Sequence, residues 1–236
     1  MKQLFTLIFL FLLGVVWGQK FSYPSIKKQG STVADFVPQG WKILDSASGD
    51  LNKDKLVDFA VILQHKDGIK ILKSEEGDSE TVTTQPRMLI ILFRCNSSNK
   101  YMLKEQNNSF ILNNDNSTME EPYQSIKIIN GALRLDFQLF SNMGSWFITS
   151  SSYIFRYQNN DFFLIGAEYK SFNRANQDYE DYSYNFSTKE WSLTTGNESS
   201  NTKPKVEWHK LDLKVLKTFS TFKKPFTWEV TKDIYL

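Results

Sequence analysis

Along most of the chain, apolar residues recur at every second position in short runs that end in turn-forming residues. Ile126-Lys127-Ile128-Ile129 leads into Asn130-Gly131, after which Leu133, Leu135, Phe137 and Leu139 alternate with Arg134, Asp136 and Gln138. Such alternation sets one face of a strand on a core and the other in water. Asn-Gly between the runs predicts a hairpin, because both residues tolerate the positive φ of a tight turn. A second hairpin is predicted from Tyr153, Phe155 and Tyr157 through Gln158-Asn159-Asn160-Asp161 to Phe162-Phe163-Leu164-Ile165-Gly166. A third pairs Tyr182–Phe186 with Trp191–Thr194, and a fourth pairs Met88–Phe93 with Tyr101–Leu103 around Asn96-Ser97-Ser98-Asn99. Val206 to Leu216 reads as a strand or a short helix, and the spacing of Leu211, Leu213 and Val215 favours strand. Ser74 to Glu80 is polar, acidic and contains Gly77, and reads as a surface loop. Helical signal is confined to Ser31–Phe36, a short capped turn stopped by Pro38. The pattern predicts an all-β protein with few helices, mainly an antiparallel meander of hairpins, stacked as a sandwich or in propeller-like fashion.

The first eighteen residues break this pattern. After Lys2 an apolar run extends from Leu4 to Trp17, interrupted only by Thr6 and Gly14. That is shorter than the roughly 20 residues a spanning helix needs. With the small or short side chains of Val16 and Gly18 at the two positions a signal peptidase reads, it reads as a secretory signal peptide cut after Gly18. An uncleaved anchor is the alternative. Residues 19–236 then form a single β-rich domain of a secreted or periplasmic protein, with no transmembrane segment after cleavage. No Cys follows the run, so lipid attachment of the bacterial lipoprotein kind is not available.

Composition narrows the chemistry. The chain of 236 residues has 28 Lys+Arg against 26 Asp+Glu, so it lacks the charge excess of a nucleic-acid partner. One Cys and two His exclude an internal disulfide and leave no material for a cysteine zinc cage. Cys95 closes the apolar run Leu89–Phe93 and is expected to be a buried thiol. The nineteen Phe suit a β core; Trp146, Tyr179, Tyr182 and Tyr184 form a binding patch if they are exposed.

One segment carries candidate metal chemistry. In Gly49-Asp50-Leu51-Asn52-Lys53-Asp54-Lys55-Leu56-Val57-Asp58, oxygen-bearing side chains stand at alternate positions. Asp50, Asn52 and Asp54 are first, third and fifth, the Leu56 carbonyl seventh, and Asp58 ninth. A hard cation such as Ca²⁺ needs several oxygens at about 2.3–2.6 Å, and a tight loop aims alternate residues inward to supply them. Val61 occupies the twelfth position, where an EF-hand has Glu, and Phe59–Leu63 is an apolar strand rather than a helix. The same spacing also suits an Asx-rich turn without metal.

Gly-Asp-x-Asn-x-Asp, a further Asp and then an apolar strand resemble the FG-GAP/VCBS repeat of integrin α-subunit propellers, over roughly Val37 to Leu63. The resemblance implies a loop between two strands of a blade that binds a structural Ca²⁺ through Asp50, Asn52, Asp54, the Leu56 carbonyl and Asp58. Lys55 stands where that repeat usually has Gly, and one copy is present where a propeller has several.

The remaining candidates read as surface. Glu120-Glu121 and Asp178, Glu180 and Asp181 lie among polar residues, as a solvated face does. Ser145 lacks a nucleophile-elbow context, His65 reads as a turn residue and His209 as strand surface. Asn96, Asn107, Asn116, Asn185 and Asn197 head N-x-Ser/Thr sequons, which matter in a eukaryotic host. The expectation is a non-enzymatic binding protein with one structural calcium loop, whose partner is an unknown protein or glycan. The alternative is a small secreted hydrolase acting on envelope or extracellular polymer.

Overall fold

The computed structural model describes residues 21–75 and 78–236. The apolar leader expected to be a signal peptide lies outside the described residues. Sixteen strands follow one another: β1 (Gln29–Gly30), β2 (Trp41–Gly49), β3 (Asp58–His65), β4 (Ile69–Glu75), β5 (Asp78–Thr84), β6 (Arg87–Cys95), β7 (Lys100–Asn107), β8 (Tyr123–Ile129), β9 (Ala132–Phe140), β10 (Phe147–Gln158), β11 (Asp161–Asn173), β12 (Asp178–Asn185), β13 (Glu190–Asn197), β14 (Lys205–Lys210), β15 (Glu229–Thr231) and β16 (Ile234–Tyr235). The helical content among the described residues is a 3₁₀ turn at Val33–Phe36, capped from Thr32. The fold is all-β, with antiparallel pairing between the strands of each sheet.

A seven-stranded sheet has the order β14-β13-β12-β11-β10-β9-β8, a meander in which chain neighbours are sheet neighbours. All four expected hairpins form. Asn130 and Gly131 have φ of 52° and 73°, as a primed turn requires. A five-stranded sheet has the order β1-β7-β6-β3-β2, and β4 and β5 form a separate hairpin. That hairpin corrects the expected Ser74–Glu80 loop: Ser74 pairs with Ser79 and Glu75 with Asp78, so pairing recruits polar residues into strands.

The two sheets face each other across the larger core. Ala60, Ile62, Leu89 and Ile91 from the smaller sheet join Leu133, Leu135, Phe137, Tyr153 and Phe155 from the larger. The opposite face of the smaller sheet (Trp41, Val61, Leu63, Met88, Ile90 and Leu92) is covered by Ile26 and Phe36 from the N-terminal segment. Because β3 and β6 are buried on both faces, they are continuous apolar runs rather than alternating ones.

The C-terminal segment covers part of the larger sheet. Phe219 stacks on Phe155 with centroids 4.1 Å apart, Trp228 packs on Phe186 at 5.4 Å, and Tyr184 hydrogen-bonds Thr231. Here the expected Val206–Leu216 strand is shorter than its apolar spacing suggests. β14 stops at Lys210, the Leu211 N–H turns to the Lys189 carbonyl, and Leu211 is buried while Leu213 and Leu216 pack against the core. A chain that dives inward places alternate Leu on a core without remaining in a sheet.

Candidate functional site

The Asp50–Asp58 loop joins β2 to β3 at a corner of the sandwich. Asp50 Oδ1 accepts the N–H groups of Lys53 (2.7 Å) and Asp54 (3.1 Å), and its Oδ2 accepts that of Lys55 (2.8 Å). Asn52 Oδ1 accepts the Asp54 N–H, and Asp54 Oδ1 accepts that of Leu56 at 2.8 Å. Lys53 and Lys55 sit at φ of 66° and 69°, in the left-handed region where Gly costs least. The backbone therefore makes a sharp turn here even with Lys at the sixth position.

Asp58 is different in kind. It is fully buried, with Oδ2 on the Leu51 N–H and Oδ1 on the Arg94 N–H, both at 2.9 Å. Burial pushes its carboxyl above the usual range, opposed by these two bonds and reinforced by the charge of Asp54. The loop also abuts the first hairpin of the larger sheet, since a Cβ on Gly131 would lie 3.2 Å from the Asp50 carbonyl oxygen. Among the described residues, no group of three or more His, Cys, Asp or Glu side chains gathers as a metal cluster. Each carboxylate of the loop keeps lone pairs beyond its hydrogen bonds.

A second site emerges from the register of the larger sheet. Along β12, side chains of one parity face inward: Phe186 just beyond the strand, Tyr184 and Tyr182 are buried, but Glu180 and Asp178 are exposed. The period of two places all five on one face. Their partners behave alike. Asp178 pairs with Asn197, Glu180 with Thr195 and Ser171, and Phe147 with Asn173. The core-facing side of this sheet thus runs out beyond its covering layer and becomes a polar groove of about 680 Å³. Phe147, 52% exposed, stands at its edge, and Trp146, 64% exposed, precedes it in the chain.

The polar groups in the groove are held in place. Asp178 Oδ2 accepts the Asn176 amide and Oδ1 the Asn197 amide, both at 2.7 Å. Glu180 accepts the Tyr182 hydroxyl at 2.9 Å. The hydroxyl of Ser145 bonds the N–H and carbonyl of Phe147, fixing the start of β10 rather than serving as a nucleophile.

The comparisons add no relative: no family model, no curated protein and no solved structure matches the chain.

The other expected residues are placed as follows. Tyr182 and Tyr184 are core residues, not patch residues; Trp146 is exposed and Tyr179 lines the groove. Asp178 and Glu180 share the groove face, whereas Asp181 lies on the opposite face, paired with Lys170. Glu121 is exposed, as expected, and it also takes buried Arg87 in a two-pronged ion pair at 2.6 and 2.8 Å. His65 caps its turn through Asp67, and His209 stacks on Trp191 at the sheet surface. Cys95 is half-buried rather than buried, because β6 leaves the core at its last three residues. Hydrogen bonds from Ser97 and Ser98 lower its thiol to about 7. Among the described residues no helix is long and apolar enough to cross a membrane.

The groove was hidden from sequence reasoning because its residues come from β10 to β14. The only local signal is the loss of apolar residues from one parity of β12, in Asp178-Tyr179-Glu180-Asp181.

Proposed function

We propose that the protein is a secreted binding protein without catalytic activity, and that its ligand lies in the groove at the uncovered end of the larger sheet. The observation that carries this reading is the switch from buried aromatic to exposed polar residues along the inner face of β12, beside the exposed ring of Phe147. Binding sites are concave and present a few oriented polar groups, and Asp178 is oriented by two amides.

The Asp50–Asp58 loop holds one structural Ca²⁺ in this reading, as the FG-GAP-like spacing implies. Asp50, Asn52, Asp54, the Leu56 carbonyl and Asp58 are its ligands. The ion supplies positive charge to a loop that carries three carboxylates beside the turn of β8 and β9, and it stabilises the fold by binding the native state alone. Calorimetric titration with Ca²⁺, and melting in Ca²⁺ against EGTA, test it. Heat of binding and a higher Tm in Ca²⁺ are expected, with both lost in Asp54→Ala. Absence of heat and of any Tm difference refutes the metal.

The hydrolase reading has one observation in its favour. Asp178 and Glu180 face the same groove two residues apart, roughly 6.6 Å along a strand, within the spacing of glycosidase carboxylates. They share one wall, whereas that chemistry needs carboxyls on either side of the scissile bond. Release of reducing ends from a polysaccharide, abolished by Glu180→Gln, decides for the hydrolase.

A further inference from the structure

The lining of the groove says which class of ligand it takes. No aliphatic side chain contributes to it: its polar surface comes from Asn, Ser, Thr, Asp, Glu and Lys, and its ring from Phe147, while Tyr179 borders it with its ring under Lys170 on the other face. An apolar peptide side chain would find no pocket there. A peptide backbone would find no partner either. β11, β12 and β13, which form the floor, are each paired on both sides, so the floor offers no strand edge for main-chain addition, and the open edge of β14 lies at the rim.

Charge excludes a second class. Asp178 and Glu180 face Lys203 and Lys205, and Lys205 is itself paired with Glu207 at 2.9 Å. With its lysines matched by carboxylates, the groove offers a polyanion no gain.

What remains is a ligand that is neutral, hydroxyl-rich and apolar on one face. A sugar ring has these features: C–H groups on one face to lie against an aromatic ring, and hydroxyls at its rim to give to carboxylates. Each oxygen of Asp178 already accepts one amide N–H at 2.7 Å, which fixes its plane. A carboxylate has about four lone-pair sites, so two are left for hydroxyl donors. Phe147 is 52% exposed at the groove edge, so part of its apolar surface stays in water there. A ligand covering its ring removes some of that surface from water. The groove lies on a rigid sheet, so little order has to be imposed on binding.

We propose that the groove binds a neutral oligosaccharide, with the apolar face of a sugar ring on Phe147 and its hydroxyls on Asp178 and Glu180. This inference rests on the binding function proposed above and names its ligand class. The test is titration of the ¹⁵N-labelled protein with cellohexaose, laminarihexaose, maltohexaose and chitohexaose, with dextran sulfate and an extended neutral peptide as controls. At least one neutral hexasaccharide is expected to shift the side-chain amides of Asn173, Asn176 and Asn197, with Phe147→Ala and Asp178→Ala each weakening it roughly tenfold or more. Phe147→Leu, which keeps an apolar side chain but no ring, guards against loss of fold and should weaken binding while the melting temperature stays unchanged. Groove shifts caused by the peptide or by dextran sulfate, with none from the sugars, overturn the ligand class and leave the binding function standing. No groove shift from any probe overturns both. Cleavage of a hexasaccharide overturns the non-catalytic reading and keeps the sugar.

Discussion

Replacing Asp58 by Asn isolates the tie between the 50–58 loop and the smaller sheet. The wild-type carboxylate accepts two backbone N–H groups, from Leu51 and Arg94, each at 2.9 Å and each on a separate oxygen. Asn has one carbonyl oxygen, so one N–H keeps a neutral acceptor and the other meets an amide NH₂, donor against donor. A hydrogen bond to a charged group contributes about 1.5–3 kcal/mol, and a buried unpaired donor costs about 1–3 kcal/mol. The site is sealed at Leu51 and Asp58, both fully buried, so water cannot repair the loss. Against this, the wild-type charge is itself disfavoured by burial, which raises its pKa, and the neutral amide escapes that penalty. The net expectation is a loss of about 2–3 kcal/mol. In a domain of this size that lowers Tm by roughly 4–12 °C. Urea unfolding followed by tryptophan fluorescence measures it, run in EGTA so that the hydrogen bonds are separated from any ion. A loss under about 0.5 kcal/mol would show that the loop does not depend on this carboxylate. In Ca²⁺ the gap widens if Asp58 is also a ligand.

Two further outcomes follow from local geometry. Lys55→Gly relieves a left-handed residue at φ 69°; strain of about 1–2 kcal/mol, less about 0.5–1 kcal/mol of added chain entropy, leaves a gain of roughly 0.5–1 kcal/mol, seen as a higher urea midpoint, and an unchanged or lower midpoint refutes it. Asp136 is half-buried, and although burial raises its pKa, hydrogen bonds from Ser125 (2.6 Å), Ser152 (2.6 Å) and Arg134 (2.7 Å) together hold it below the usual range. A depressed carboxylate stabilises the fold above its unfolded pKa, and that contribution is lost as pH falls through the folded value. Asp136→Asn is therefore expected to cost about 1–3 kcal/mol at pH 7, the gap closing below about pH 4; a gap constant down to pH 2 refutes the argument.

The legible parts of this molecule are those decided by residues close in sequence. Asn130-Gly131 declares its turn because the positive φ values are a property of those two residues, and the alternation that follows is read from one strand. The Asp50–Asp58 loop is legible for the same reason: its acceptors and donors lie within eight residues of one another. Long-range burial is not written locally. Glu121 in a polar stretch looks solvated, yet it neutralises Arg87, which the smaller sheet and the 112–122 connection enclose. Leu211 and Leu213 alternate like a strand while the chain leaves the sheet. Tyr182 and Glu180 stand two residues apart on one face, yet Tyr182 packs among Tyr169, Tyr184 and Trp191 while Glu180 lies in the groove. The C-terminal segment covers Tyr184 through Thr231 and Phe186 through Trp228, and its cover stops short of Asp178 and Phe147. A strand of alternating aromatic and acidic residues carries the same period whether its polar end is wall or floor. The position of the groove is therefore set by how far the covering layer extends, and shortening or extending that layer would move the groove without changing a residue of the sheet.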